Sequence, residues 1–211
     1  MHFRDRTEAG RLLAELLKPH TNQANAIVLA LPRGGVPVGY EIARQLHLPL
    51  DVFLVRKLGV PGQPELAMGA IASGGIQVLN DDVIRSRSIS PETIAQIAMH
   101  ESRELDRREQ LYRNGKSALH FFGKTIILVD DGLATGASMR AAITAIRPQK
   151  PNQIIVAVPV ADQQTYDDFR QMVDQIVCVS IPSPFYGVGM WYDDFSQTTD
   201  EEVQQLLNKA S

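Results

Sequence analysis

Five short apolar runs constrain this chain more than any other feature: AIVLAL (26–31), DVFLV (51–55), TIILVD (125–130), QIIVAVPV (153–160) and QIVCVS (175–180). None alternates apolar with polar, so none reads as a strand with one wet face. Each needs cover on both sides. Helical patterns stand between them, Val36–Leu46 after the first run, Ala137–Ile146 after the third and Gln163–Met172 after the fourth. Strand–helix–strand repetition of this kind predicts an α/β fold: a doubly wound, mostly parallel sheet flanked by helices, with right-handed crossovers.

The 211 residues exceed one common domain and fall short of two. The expectation is a single domain over 1–211 with an insertion at 58–122 and an appended segment at 183–211. An amphipathic helix precedes the first strand, with Leu12, Leu13, Leu16 and Leu17 on one side and Pro19 near its end. The insertion opens Gly- and Pro-rich, and contains a hairpin pattern, Ala67–Ala72 and Ile76–Leu79 about Gly74-Gly75. Pro91, capped by Ser90, then starts a long helix to about Arg113, whose many charges read as a solvated face.

Net charge is 21 − 24 = −3, so no broad nucleic-acid binding is expected. The five histidines lack metal-ligand spacing, and the lone Cys178 rules out an internal disulfide and reads as a small core residue. The charged N-terminus lacks the apolar stretch of a signal peptide, and no apolar run is long enough to cross a bilayer. A cytoplasmic protein without membrane partners is the expectation.

In an open parallel sheet, ligands bind at the carboxyl ends of the strands. Three such ends carry unusual residues. In IILVDDGLATGASMR (126–140), a buried strand ends in Asp130 and Asp131. Two carboxylates about 5 Å apart repel by roughly 3 kcal/mol at an effective dielectric near 20. A ligand with hydroxyl groups, or a divalent cation, offsets that cost. The loop that follows, with Gly132, Thr135, Gly136 and Ser138, leads into a helix N-terminus and suits an anion. Acids for hydroxyls beside a cradle for phosphate describe a sugar phosphate. No Gly-Lys-Ser/Thr follows, which disfavours a nucleoside triphosphatase. At the first strand end, Pro32-Arg33-Gly34-Gly35 offers a cation and exposed N–H groups to a second anion. Arg56-Lys57 stands at the expected end of strand two.

The 126–140 stretch resembles the 5-phosphoribosyl-1-pyrophosphate (PRPP) motif of the type I phosphoribosyltransferases, with its hydrophobic residues, two acids and Thr-Gly-rich loop. Pro32–Gly35 looks like the pyrophosphate loop of the same family, and the order of the parts along the chain agrees with it. The resemblance implies that Asp130 and Asp131 hold the ribose hydroxyls, and that Ala134, Thr135, Gly136, Ala137 and Ser138 hold the 5′-phosphate. It further implies that Arg33, Gly34, Gly35, Arg56 and Lys57 face the pyrophosphate. Arg33, Lys57, Asp130 and Asp131 are the implied catalytic set. The implied cofactor is Mg²⁺, which Asp130 and Asp131 would meet through PRPP and water. Leu58–Gly75 is the implied lid. Such enzymes often build a hood over the acceptor from a chain terminus, which makes Tyr186, Val188 and Trp191 acceptor candidates. Alternatively, the aromatic tail SPFYGVGMWYDDFSQ packs onto the core. Position 134 is Ala, as in adenine phosphoribosyltransferases, where hypoxanthine-guanine enzymes carry Asp. The implied partners are PRPP and a small nitrogenous acceptor, and a homodimer is compatible. The competing reading is a non-catalytic PRPP sensor on the same fold.

Overall fold

A computed structural model describes residues 1–113 and 119–210. Five strands, β1 (Ala26–Ala30), β2 (Leu50–Val52), β6 (Thr125–Val129), β7 (Gln153–Val160) and β8 (Gln175–Ser180), form one parallel sheet in the order β2-β1-β6-β7-β8. Three more, β3 (Val55–Val60), β4 (Gln63–Ala72) and β5 (Ile76–Leu79), form a separate antiparallel sheet.

Successive residues of the parallel strands enter opposite cores. Val28, Ala30, Ile127, Val129, Ile155 and Ala157 face one side. Ile27, Leu29, Ile126, Leu128, Ile154 and Val156 face the other. This two-sided burial is why the runs do not alternate. Helices α1 (Arg6–Leu16), α2 (Gly35–Leu46), α4 (Pro91–Arg113) and α7 (Asp200–Lys209) cover the first face. On the second lie α5 (Ala137–Ile146) and α6 (Gln163–Met172). A short α3 (Asp81–Ser86) follows β5. No helix is long and apolar enough to cross a membrane among the described residues.

Two expectations need correction. The run at 51–55 is not one strand. Phe53 is buried in the second core, edge-on to Phe121 at 5.6 Å, while Leu54 is buried in the first. Leu54 exchanges hydrogen bonds with Ser73, its N–H donating to Oγ at 3.0 Å and its carbonyl accepting from N–H at 2.9 Å. These contacts hand the chain over to the second sheet, so Arg56 and Lys57 lie inside β3 rather than at the end of strand two. Within the stretch Leu58–Gly75, β3 and β4 pair with register shifts at Gly59, and Leu58 and Met68 are fully buried. Its turn holds Gly74 and Gly75 at φ +78° and +73°, which a side chain would strain. In α1, Leu13 and Leu17 are buried but Leu16 is 51 % exposed, because successive leucines turn through a helix period.

The face of α4 is also less uniformly wet than expected. Glu104 pairs with Arg107 and Arg108 on the outside. Arg113, however, is buried against Asp51 of β2 at 3.2 Å. At its other end α4 has the expected cap, Ser90 Oγ accepting from the Thr93 N–H at 3.2 Å.

Candidate active site

The strand order reverses between β1 and β6, so the loops leaving their carboxyl ends diverge and open a crevice. The first loop begins with the Leu31 N–H donating to the Val129 carbonyl at 2.9 Å, and its Pro32–Arg33 peptide is cis. Gly34 and Gly35 are required by crowding. A side chain at Gly35 would place Cβ 2.7 Å from the Val129 carbonyl oxygen, and one at Gly34 would overlap Asp131 Oδ2. The two glycines thus let the first loop lie directly on the acid pair.

Asp130 and Asp131 are both withdrawn from solvent. Burial, and then the neighbouring Asp131 charge, holds the Asp130 carboxyl well above the usual range. Burial also raises Asp131, opposed by the Arg6 guanidinium. Arg6 Nε donates to Asp131 Oδ2 at 2.8 Å, and both side chains are mostly buried. The Asp131 N–H donates to Asp130 Oδ1 at 2.9 Å, and Tyr192 Oη donates to the Asp131 carbonyl at 2.7 Å. That setting pushes the Tyr192 phenol up, chiefly through desolvation.

Beyond the acids, Leu133 is pinned to β7, its N–H donating to the Val160 carbonyl at 2.9 Å. Thr165 Oγ1 donates to the Ala134 carbonyl at 2.6 Å. Gly136 turns the chain into α5 at φ +68°, where a Cβ would meet the Phe169 ring at 2.5 Å. No side chain caps α5, and Ala134, Thr135, Ala137 and Ser138 are exposed. An open helix N-terminus of this kind is an anion site in waiting.

The remaining candidates divide. Ser138 shares a cavity of about 620 Å³ with Arg56 and Lys57, between β3 and α4, and a smaller one with Pro32 and Arg56. Within it, Arg56 is held by Glu101 of α4 at 2.6 Å. Arg33 turns toward α7 instead, 3.5 Å from Asp200, whose carboxylate also accepts from Tyr112 Oη. In the tail, Val188 covers Gly132, where a Cβ would stand 2.5 Å from Val188 Cγ1. Tyr186 is 79 % exposed. Phe185, Trp191 and Tyr192 pack with Phe3, and Phe195 stacks on Tyr192 at 5.1 Å. Much of the aromatic tail is therefore packing. Arg6, Glu101, Tyr192 and Asp200 were not among the sequence candidates. Each meets its partner across a long stretch of chain, and no local motif marks such a pairing.

Among the described residues no cluster of three or more His, Cys, Asp or Glu could hold a metal. The Asp130–Asp131 pair offers hard oxygen donors in a largely desolvated place. That donor set fits a Mg²⁺ ion that keeps most of its coordination for phosphate oxygens and water.

A family model described as a phosphoribosyl transferase domain matches residues 6–193. A Mycobacterium tuberculosis protein, Rv0571c, provisionally named a phosphoribosyl transferase, is 42% identical over 208 residues. That alignment covers 99% of this chain but 47% of the relative, so the chain spans about half the length of the curated relatives it matches. The crystal structure of TT1426 from Thermus thermophilus superposes with a TM-score of 0.91 at 40% identity, covering 100% of both chains. The AQ2163 protein from Aquifex aeolicus, at 9% identity and a TM-score of 0.50 over 83% of this chain and 74% of its own, shares the fold alone. With the family model spanning both site loops, this chain belongs to the phosphoribosyl transferase domain family.

Proposed function

We propose that this chain transfers the 5-phosphoribosyl group of PRPP to a nitrogenous acceptor, releasing pyrophosphate, with Mg²⁺. One observation carries the reading above the rest. The buried Asp130–Asp131 pair, with the Asp131 carboxylate against the Gly34 backbone, is followed within a few residues by the uncapped N-terminus of α5. Acids for a diol and free amides for a phosphate, a few residues apart, match the two ends of a ribose 5-phosphate.

In this reading Asp130 and Asp131 accept hydrogen bonds from the ribose 2′- and 3′-hydroxyls. The backbone of residues 134–138, with the Thr135 and Ser138 hydroxyls, grips the 5′-phosphate. Clamped at both ends, the sugar presents its anomeric carbon in a fixed place, and positioning of this kind supplies much of a rate enhancement. As the bond to pyrophosphate breaks, negative charge gathers on the leaving oxygens. In this reading Lys57 and Arg33 meet it, together with the N–H group of Gly34, while the Gly35 N–H is committed to the Leu31 carbonyl at 3.1 Å. Mg²⁺, when bound, supplies further neutralisation of that charge. Arg33 reaches this role by exchanging its Asp200 partner for the leaving group. Ala134 offers no carboxylate for proton exchange with a 6-oxopurine, so guanine and hypoxanthine are expected to be poor acceptors. Tyr186 and Val188 are the residues of the tail left to meet the acceptor.

The test is pyrophosphate release with PRPP, Mg²⁺ and a panel of bases. Wild-type protein is expected to release pyrophosphate with at least one acceptor. Asp130→Asn combined with Asp131→Asn is expected to abolish release while the melting temperature without ligand is kept. A wild-type protein that neither releases pyrophosphate nor gains thermal stability with PRPP and Mg²⁺ would overturn the reading.

A further inference from the structure

We infer that Arg6, from the first turn of α1, is a positioning residue for the acid pair: it locks the Asp131 carboxylate against Gly34 so that the pair meets a ligand in one fixed arrangement. The inference rests on the proposed reading of the site, and goes beyond it by naming a residue outside both loops.

The geometry has three parts. Arg6 Nε donates to Asp131 Oδ2 at 2.8 Å, and that same oxygen occupies the space a side chain at position 34 would need. The carboxylate is therefore trapped between a cation and a backbone. Arg6 is itself held, its Nη1 donating to the Ser196 carbonyl at 2.8 Å and its guanidinium lying 4.1 Å from the Phe195 ring centre. Tyr192 Oη adds a hydrogen bond to the Asp131 carbonyl. Asp131 is thus gripped at its carboxylate and its backbone by segments from both chain ends.

The two acids are also tied to each other: Asp130 Oδ1 takes the Asp131 N–H, and the two carboxyls share a hydrogen bond, so fixing Asp131 through Arg6 fixes the pair. Arg6 also opposes the effect of burial on the Asp131 carboxyl and offsets the negative charge of the pair. A guanidinium does this well because it stays charged and is only weakly hydrated. Lysine can restore the charge but not the fork that spans Asp131 and Ser196. Ser196 and Phe195 lie beyond the matched family region, which ends at residue 193.

The experiment uses the full chain with Arg6→Met, Arg6→Lys and Phe195→Leu. Calorimetric titration with PRPP and Mg²⁺ is expected to show about tenfold or greater weakening for Arg6→Met, the size of a lost charge-assisted hydrogen bond. Arg6→Lys is expected to recover part of that loss. For Phe195→Leu the expected weakening is about two- to fivefold, the loss of a cation–π contact. In turnover the KM for PRPP is expected to rise while the KM for the acceptor stays within about twofold, a split that general loosening of the fold would not give. Folded Arg6→Met protein that binds PRPP like wild type would overturn the inference and leave the proposed function intact. A crystal structure of Arg6→Met decides the matter without PRPP. The Asp131 carboxylate is expected to swing away from Gly34, and an unmoved carboxylate would overturn the inference. If the carboxylate swings while even wild-type protein ignores PRPP, the positioning role stands and the proposed substrate falls. Should Arg6→Met fail to fold, Arg6→Lys and Phe195→Leu carry the same comparison, and unchanged PRPP binding in both would overturn it.

Discussion

Gly34 has an ordinary right-handed helical backbone, φ −61° and ψ −30°, so alanine there meets no conformational penalty. The three atoms nearest to its missing Cβ all belong to the Asp131 carboxylate. Gly34→Ala is therefore expected to cost about 1–3 kcal/mol through overpacking and to weaken PRPP binding. Adding Asp131→Ala is expected to cost less than the sum of the two single changes, and to return none of the binding. Urea denaturation of the single and double variants measures the coupling, and additive costs would mean that the two residues do not compete for space. Cys178 makes a second prediction at this scale. Burial pushes its thiol up to about 11, with a hydrogen bond to the Ser180 carbonyl at 3.2 Å. At pH 8 little thiolate is present, so iodoacetamide is expected to react at least about tenfold more slowly with folded protein than with chain unfolded in urea. Equal rates would show that the thiol is not desolvated.

Among the elements, α4 was legible from end to end, since its Ser90-Pro91 start and its length appear as written in the sequence. Its two inward-facing ion pairs were not. Arg113 is buried with Asp51 of β2, and Arg56 of β3 with Glu101 is partly buried. A charge on a helix looks the same in sequence whether water or a carboxylate faces it. The Arg113–Asp51 pair fastens the inserted helix to the edge of the main sheet. Removing one partner leaves a buried charge alone, so Arg113→Met is expected to destabilise by about 3–5 kcal/mol. Denaturant titration checks this, and a loss under about 1 kcal/mol would mean that the pair is solvated. The second sheet was half legible. Its Gly74-Gly75 hairpin stood out, but β3 did not, because its first residues extend an apolar run that reads as the preceding strand.

For the molecule as a whole, the insertion and the C-terminal segment close on the crevice from different sides. The β3–β4 hairpin walls the cavity that reaches Ser138, and it packs on α4 and α5 rather than on the main sheet. Such a unit can open without unfolding the core. Amide exchange over 58–72 is expected to be faster than in β1 and β6 without ligand, and to slow when PRPP and Mg²⁺ bind. Exchange unaffected by ligand would show that the hairpin does not cover the site. From the other side, α7 brings Asp200 to Arg33, and residues 195 and 196 hold Arg6. The tail thus supports the site as a brace, with Val203 and Leu207 anchoring it in the first core.

The sequence by itself determined the parallel core and the two loops that leave it. Unbroken apolar runs demand cover on both faces, and adjacent acids before a Gly-rich helix start have few uses other than a ligand. Both are local properties, written in consecutive residues. What only the tertiary structure decided was how those loops touch and what holds them. Gly34 is crowded by the Asp131 carboxylate, and that carboxylate in turn meets Arg6, 125 residues away along the chain. Arg33 likewise faces Asp200. Pairings between distant segments depend on how the finished layers stack, and no spacing within either segment records them.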